Sequence, residues 1–126
     1  MRKEESLQIS VSEYLKLQYP KVIFTSDSSG LRLPMGLAMK AKRMRSGSGI
    51  PDMLILKPSK GYHGLCLELK AKSPYQKNGQ LYSDDHLKEQ NEVLKNLRKE
   101  GYYADFVTGF DEAKRVIDLY FKNSTN

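Results

Sequence analysis

The stretch Leu65-Cys66-Leu67-Glu68-Leu69-Lys70 has the clearest secondary-structure pattern in the sequence. Its apolar residues recur with a period of two, which predicts a β-strand whose side chains point alternately to opposite faces of a sheet. One face of the strand then carries the three leucines, and the opposite face carries Cys66, Glu68 and Lys70. We therefore expect the leucine face to be core and the other face to carry chemistry.

A second apolar run precedes this strand at the distance of a hairpin. Residues 53–56 are continuously apolar, and residues 58–64 have turn composition. Together with the alternating strand they predict a hairpin. Asp52 follows Pro51 at the mouth of the first hairpin strand, so the hairpin brings its carboxylate toward Glu68.

Two carboxylates on adjacent strands form a hard-oxygen site. Such a site suits Mg²⁺, for which Mn²⁺ can substitute, because these ions take a few protein oxygens and keep several waters. We expect Asp52 and Glu68 to bind the metal, with the backbone carbonyl of Leu69 as a third ligand. A metal placed there can bind a phosphate and activate water. Lys70, on the same face as Glu68, can orient that water or neutralise developing negative charge.

The same residues have a simpler interpretation. Asp52 can be a turn residue after proline, and Glu68 and Lys70 can form a cross-strand pair on a solvated face. Both short patterns arise often by chance, so the strand context is what favours a metal site.

Outward from the hairpin, helices and strands alternate along the chain. Apolar residues spaced by three and four predict helices, and short β-branched or alternating runs predict strands. In chain order we first predict a helix at 4–19, a strand at 22–25, a helix at 35–44 and the hairpin strands at 53–56 and 65–70. We then predict a helix that starts at Asp84 and Asp85 and stops at Gly101, a strand at 102–108, and a last helix through 113–120. This order predicts one α/β domain over residues 1–122, with a mixed central sheet flanked by helices, and a polar tail at 123–126.

Composition narrows the classes of function. The formal net charge is +6, from 21 Lys and Arg against 15 Asp and Glu, which suits a polyanionic partner such as nucleic acid. No apolar run is long enough for a membrane span, and the N-terminus lacks the apolar core of a signal peptide. We therefore expect no membrane association and a cytoplasmic protein. One cysteine and two histidines exclude an internal disulfide and a structural zinc site.

Several short motifs follow one another along nearly the whole chain. They are Glu4-x-x-x-Gln8 with Tyr14-Leu15 and Tyr19-Pro20, Gly49-Ile50-Pro51-Asp52, Tyr62-His63-Gly64-Leu65, Glu68-Leu69-Lys70, Gln90, Gly101-Tyr102, and Gly109-Phe110-Asp111-Glu112-Ala113. In this order and spacing they resemble a known family, the VRR-NUC branch of the PD-(D/E)xK nucleases.

The resemblance implies a restriction-endonuclease-like core and metal-dependent hydrolysis of DNA. It assigns Asp52 and Glu68 as metal ligands, Lys70 as the catalytic lysine, and Glu4 and Gln90 as supporting active-site residues. Small stand-alone members of the family are often encoded by phages. The resemblance to them implies a homodimer that cuts branched DNA such as four-way junctions, in a bacterial or phage-infected host cell. Two alternatives remain, a non-catalytic nucleic-acid-binding module on the same fold and a nuclease that acts on RNA.

The supporting residues each have a structural alternative. Gln90 lies on an apolar helix stripe, where a buried amide needs partners. These can be a phosphate, the catalytic lysine or a metal-bound water, or simply backbone groups of the core. Glu4 can be a further metal ligand or a favourable charge near a helix N-terminus. Its neighbour Glu5 is expected to face solvent. The resemblance assigns no role to His63 or His86, and we expect both to be structural or surface residues.

Basic residues near the metal motifs are candidates for DNA contact. The sequence departs from the commoner family pattern in the loop from Ser26 to Gly30 and in a basic insertion before Gly49. The candidates are Lys40, Lys42, Arg43 and Arg45 before the metal motif, and Lys72 and Lys77 after it. They can hold phosphates without reading sequence. A solvated helix face is the alternative for the first four.

Overall fold

The computed structural model describes residues 3–27 and 33–122. Its elements are α1 (Lys3–Gln18), β1 (Phe24–Ser26), α2 (Met35–Arg43), β2 (Met53–Ile55), β3 (Leu65–Lys70), α3 (Asp85–Lys99), β4 (Tyr103–Thr108) and α4 (Gly109–Phe121). The predicted order of helices and strands is confirmed, although β1 begins at Phe24 rather than at Val22. The predicted tail at 123–126 and residues 28–30 of the predicted loop lie outside the described residues.

The four strands form one mixed sheet in the order β1-β2-β3-β4. β1 and β3 both pair antiparallel with β2, which confirms the hairpin. β4 pairs parallel with β3, so the chain must cross over between them, and α3 supplies the crossover. The predicted mixed sheet flanked by helices is therefore the observed architecture.

Helices cover both faces of the sheet. α1 and α4 pack on one face, where the three leucines of β3 join the larger core cluster. α3 packs on the other face, where Cys66 joins Leu94, Ala104 and Phe106 in a second cluster. All six residues of β3 are buried, as expected for a strand enclosed between helical layers. The expectation that only the leucine face is core was therefore wrong, because α3 also shields the face that carries Glu68.

Two helices differ in what they bury. α1 buries Leu7, Gln8, Val11 and Leu15, and each fully buried aliphatic side chain contributes about 1.5–3 kcal/mol. α2 buries no residue.

No helix within residues 3–27 and 33–122 combines the length and the apolarity that a membrane span needs.

Gly101 ends α3 in a conformation that favours glycine, with φ at 94°. A Cβ at this position would lie 2.4 Å from the His63 ring, and the His63 N–H donates a 2.9 Å hydrogen bond to the Gly101 carbonyl. Gly101 is therefore required both by its backbone and by the ring packed against it. His63 has the structural environment that we expected for it.

Candidate active site

Strand register places Asp52 opposite Glu68. Met53 pairs with Leu67 in the antiparallel ladder of β2 and β3, so the residue before Met53 faces the residue after Leu67. Directly opposed residues share a face of the sheet. Asp52 therefore lies on the face that carries Glu68, and its Oδ2 accepts a 2.8 Å hydrogen bond from the Leu69 N–H.

Burial controls the electrostatics of this pair. Glu68 is 4% exposed. Desolvation, followed by the nearby Asp52 charge, raises the pKa of the Glu68 carboxyl well above its usual range. Desolvation also raises the pKa of the Asp52 carboxyl, whereas the hydrogen bond from Leu69 and the Lys70 charge act in the opposite direction. A buried pair of like charges is costly unless a proton or a cation offsets it.

Lys70 lies next to this pair and is itself only 9% exposed. Its Nζ is 5.9 Å from the centroid of the Phe106 ring, and its charge partly offsets the rise in the pKa of both carboxyls. The alternative of Glu68 and Lys70 as a pair on a solvated face is wrong, because both side chains are buried under α3.

Gln90 connects α3 to Glu68. Its Nε2 donates a 3.2 Å hydrogen bond to Glu68 Oε2 and lies 3.2 Å from His86 Nε2. The alternative of a core glutamine bonded to the backbone is therefore wrong, since the amide bonds the buried carboxyl. Among the described residues, Gln90 Oε1 and Glu68 Oε1 are buried without a hydrogen-bond partner. Buried polar atoms of this kind indicate that a water, an ion or a ligand completes the site.

The first two turns of α1 hold the strand ends at the site. Glu4 Oε2 accepts a 3.3 Å hydrogen bond from the Ala71 N–H, just beyond Lys70. Gln8 Nε2 donates to the carbonyls of Asp27 at 2.8 Å and Asp52 at 3.5 Å. Glu5 is half-buried whereas Glu4 is exposed, so the expectation that Glu5 is the more exposed of the two was wrong.

A cavity of about 320 Å³ opens over these residues. The five predicted catalytic residues line it together: Glu4, Asp52, Glu68, Lys70 and Gln90. They come from α1, the residue before β2, β3 and α3. The fold therefore brings together residues that are far apart in sequence.

The predicted DNA-binding residues are divided among several places. Lys42 and Arg45 line the cavity, whereas Lys40 and Arg43 line a separate shallow cleft with Met44. Lys72 lines a cleft beside the cavity, which it shares with Lys70. Lys77 is exposed. It is absent from the described residues that line the cavity and the two clefts.

Sequence reasoning missed two ionisable residues of the cavity wall, Asp27 and His86. Asp27 forms an ion pair with Arg45, with Nε and Oδ1 3.0 Å apart, and β1 pairing with β2 brings it opposite Asp52. His86 is a surface residue, as expected, but it also contacts Gln90. The spacing of four between His86 and Gln90, which places both on one helix face, is a signal that could have found His86.

The donor set fits a small divalent cation. Within the part of the chain that the structure describes, no three His, Cys, Asp or Glu side chains form a metal-binding group. Asp52 and Glu68 supply two carboxylates, and Glu68 Oε1 has no partner among the described residues. Because the N–H and C=O of one strand residue point to the same side, the Leu69 carbonyl faces the side of Asp52 as well. A few oxygen ligands with room for water suit Mg²⁺ or Mn²⁺.

A solved structure described as "VRR_NUC domain protein" has a similar fold. The match covers 97% of this chain and 90% of that chain, with a TM-score of 0.64 and 28% sequence identity. The chain has the VRR-NUC fold. The resemblance found in the sequence is thereby confirmed, and so is the restriction-endonuclease-like fold class. The similarity to this structure indicates that the chain is a nuclease-type domain. No family model matches the sequence, and no curated protein matches it.

Proposed function

We propose that the chain is a metal-dependent endonuclease that hydrolyses DNA phosphodiester bonds, preferentially in branched DNA such as four-way junctions. The observation that carries this proposal is the placement of Asp52 opposite Glu68, with Lys70 on the same face. The VRR-NUC fold supports the same reaction class, since the similar structure is described by a nuclease domain name.

Asp52 and Glu68 are the proposed ligands of Mg²⁺ or Mn²⁺, with the Leu69 carbonyl as a third and Glu4 as a candidate further ligand. A bound divalent cation supplies Lewis acidity and positive charge beside the scissile phosphate. The two carboxylates supply the negative charge that holds it. Their burial makes the metal-free pair costly, so the site favours a cation.

Lys70 and Gln90 complete the chemistry. Lys70 holds an ammonium beside Glu68, where it orients the attacking water and offsets negative charge on the phosphate. The water oxygen forms the new bond to phosphorus, the bond to the leaving sugar oxygen breaks, and the water's proton ends on solvent or on that oxygen. The Gln90 Nε2 atom donates to the Glu68 carboxylate and holds it in place. The Gln90 Oε1 atom then remains available to accept a hydrogen bond from water.

Two copies acting together would cut both strands of a branched substrate, one strand each. A closed dimer with twofold symmetry places two identical sites on a substrate of matching symmetry. Light scattering on purified protein measures this directly, and a mass of one chain at working concentration contradicts the dimer.

The test of the proposed function is cleavage of end-labelled duplex, single-stranded, flap and four-way DNA, with and without Mg²⁺ or Mn²⁺. Wild-type protein should cut in the presence of metal, most rapidly at the four-way junction. Asp52→Asn should not cut, whereas Asp111→Asn, the same change at an exposed site on α4, should cut normally. Metal-dependent cleavage of matched RNA alone would favour an RNA nuclease, and binding without cleavage would favour a non-catalytic module.

A further inference from the structure

Helix α2 and the two residues after it present two different faces. Lys42 and Arg45 line the cavity together with Ala38 and Ala41. Lys40 and Arg43 line the separate cleft instead. With 3.6 residues per turn, these two pairs of cations fall on opposite sides of the helix. One pair faces the proposed active site, and the other faces outward.

The outward side of α2 also carries exposed apolar residues. Leu37, Met39 and Met44 are 54%, 60% and 84% exposed, and α2 buries no residue. These side chains therefore contribute little to the core. Single exposed apolar residues are ordinary, but a cluster of them within residues 37–44 is typical of an interaction surface.

The charge of this segment favours an anionic partner. Residues 35–45 contain Lys40, Lys42, Arg43 and Arg45 and no Asp or Glu. By helical spacing, Lys40 and Arg43 lie between Met39 on one side and Met44 on the other. A partner that fits must offer negative charge and flat apolar surface at close spacing. A DNA strand with unstacked bases offers both, whereas a continuous duplex presents its phosphates and hides its base faces.

We propose that the outward face of α2 holds unpaired bases of the DNA substrate beside the active site. Met39 and Met44 contact the base faces, because thioether sulfur packs well on aromatic rings and methionine is among the side chains that insert at opened base steps. Lys40 and Arg43 hold the neighbouring phosphates. This rests on the proposed nuclease function and adds that bases opened at the branch point of the substrate, next to the cut, bind to α2.

The test is binding of fluorescently labelled DNA measured by anisotropy in EDTA, so that cleavage does not interfere. Three ligands of one length are compared: a single strand, the same strand with abasic sites at its centre, and a duplex. Wild-type protein should bind the intact strand more tightly than the abasic one. Met39→Gln combined with Met44→Gln should weaken binding of the intact strand about fivefold and leave the abasic strand and the duplex unchanged.

The control is Lys40→Gln combined with Arg43→Gln, which should weaken all three ligands alike and reduce the salt dependence of binding. Both double variants should melt at the wild-type temperature, since α2 buries no residue. Wild-type binding that does not distinguish intact from abasic strands overturns the inference. So does unchanged binding by the methionine variant, or a change from dimer to monomer in that variant, which would make this face a contact between copies.

The outcome is separable from that of the proposed function. Metal-dependent cleavage with base-independent binding overturns only the role of α2. Base-dependent binding without any cleavage supports that role and overturns only the catalytic proposal.

Discussion

The backbone N–H of Leu69 donates a 2.8 Å hydrogen bond to the carboxylate of Asp52. The bond fixes the Asp52 side chain against the strand that carries Glu68 and Lys70. The hairpin therefore sets the geometry of the proposed metal site through its own backbone, with Glu68 and Lys70 on β3 and Asp52 directly before β2. Sites on rigid elements are held more precisely than sites on loops.

Gln90→Leu should lower the rate of cleavage about 10- to 100-fold. Leucine matches the size of the buried side chain but cannot donate to Glu68 Oε2, so the carboxylate loses the group that orients it. Steady-state kinetics on a junction substrate measures the loss, and circular dichroism checks the fold. Gln18→Leu, at an exposed position in α1, is the control; equal rates for the two variants would remove Gln90 from the account.

Gln8→Leu should weaken both the fold and the site. Gln8 bonds the carbonyls of Asp27 and Asp52, and loss of a buried donor costs on the order of 1–3 kcal/mol. Urea unfolding should show this loss of stability. Mn²⁺ affinity should fall in parallel, because Asp52 loses a support on its backbone; unchanged affinity would show that Gln8 serves the core alone.

Glu68→Gln should leave the metal-free protein as stable as wild type or make it more stable. The change removes a carboxyl whose charged form is disfavoured by burial and by Asp52, and an amide can donate to Asp52. Thermal unfolding in EDTA measures this. Adding Mn²⁺ should raise the melting temperature of wild type, because ligands that bind only the folded state stabilise it, and should not raise that of the variant. A much lower melting temperature in EDTA would contradict the electrostatic argument.

Asp118→Asn should destabilise the contact between α1 and α4. Asp118 Oδ1 accepts hydrogen bonds from the hydroxyls of Tyr14 at 2.5 Å and Tyr19 at 2.6 Å, and Lys114 Nζ lies 3.0 Å from Oδ2. Hydrogen bonds to a charged group, screened here by partial exposure, contribute about 1 kcal/mol. Urea unfolding at neutral pH should show a loss of this size.

Acid should reproduce the effect of that substitution. Desolvation raises the pKa of Asp118, but the hydrogen bonds from Tyr14, Tyr19 and Lys114 outweigh it and lower the pKa overall. A carboxyl with a lowered folded-state pKa contributes stability above its unfolded value of about 3.9, and this is lost as the pH falls through the folded-state pKa. The stability difference between wild type and Asp118→Asn should therefore shrink below about pH 4. A constant difference down to pH values near 2 would contradict this assignment.

Much of the fold followed from local patterns. The alternation in residues 65–70 and the turn composition before it predicted the hairpin, because period and turn chemistry are local properties. The parallel pairing of β4 with β3 has no local signal, since it depends on how α3 packs across the sheet. Burial of the Glu68 face by α3 was missed for the same reason: two charged residues in a strand look solvated until the helix above them is placed.

Local patterns also predicted part of the candidate site. Asp52 and Glu68 could be brought together by hairpin geometry alone, whereas Glu4 and Gln90 needed the family resemblance. Asp27 was missed because its place opposite Asp52 depends on the pairing of β1 with β2. Helical spacing could have predicted that Lys42 and Arg45 face the cavity while Lys40 and Arg43 face outward.

Calorimetric titration with Mn²⁺ is the sharpest test of whether Asp52 and Glu68 hold a divalent metal. Wild-type protein and Asp111→Asn should bind Mn²⁺ with the same affinity and stoichiometry, whereas Asp52→Asn should show little or no binding while retaining its fold. Wild-type affinity in folded Asp52→Asn would show that Asp52 is not a metal ligand.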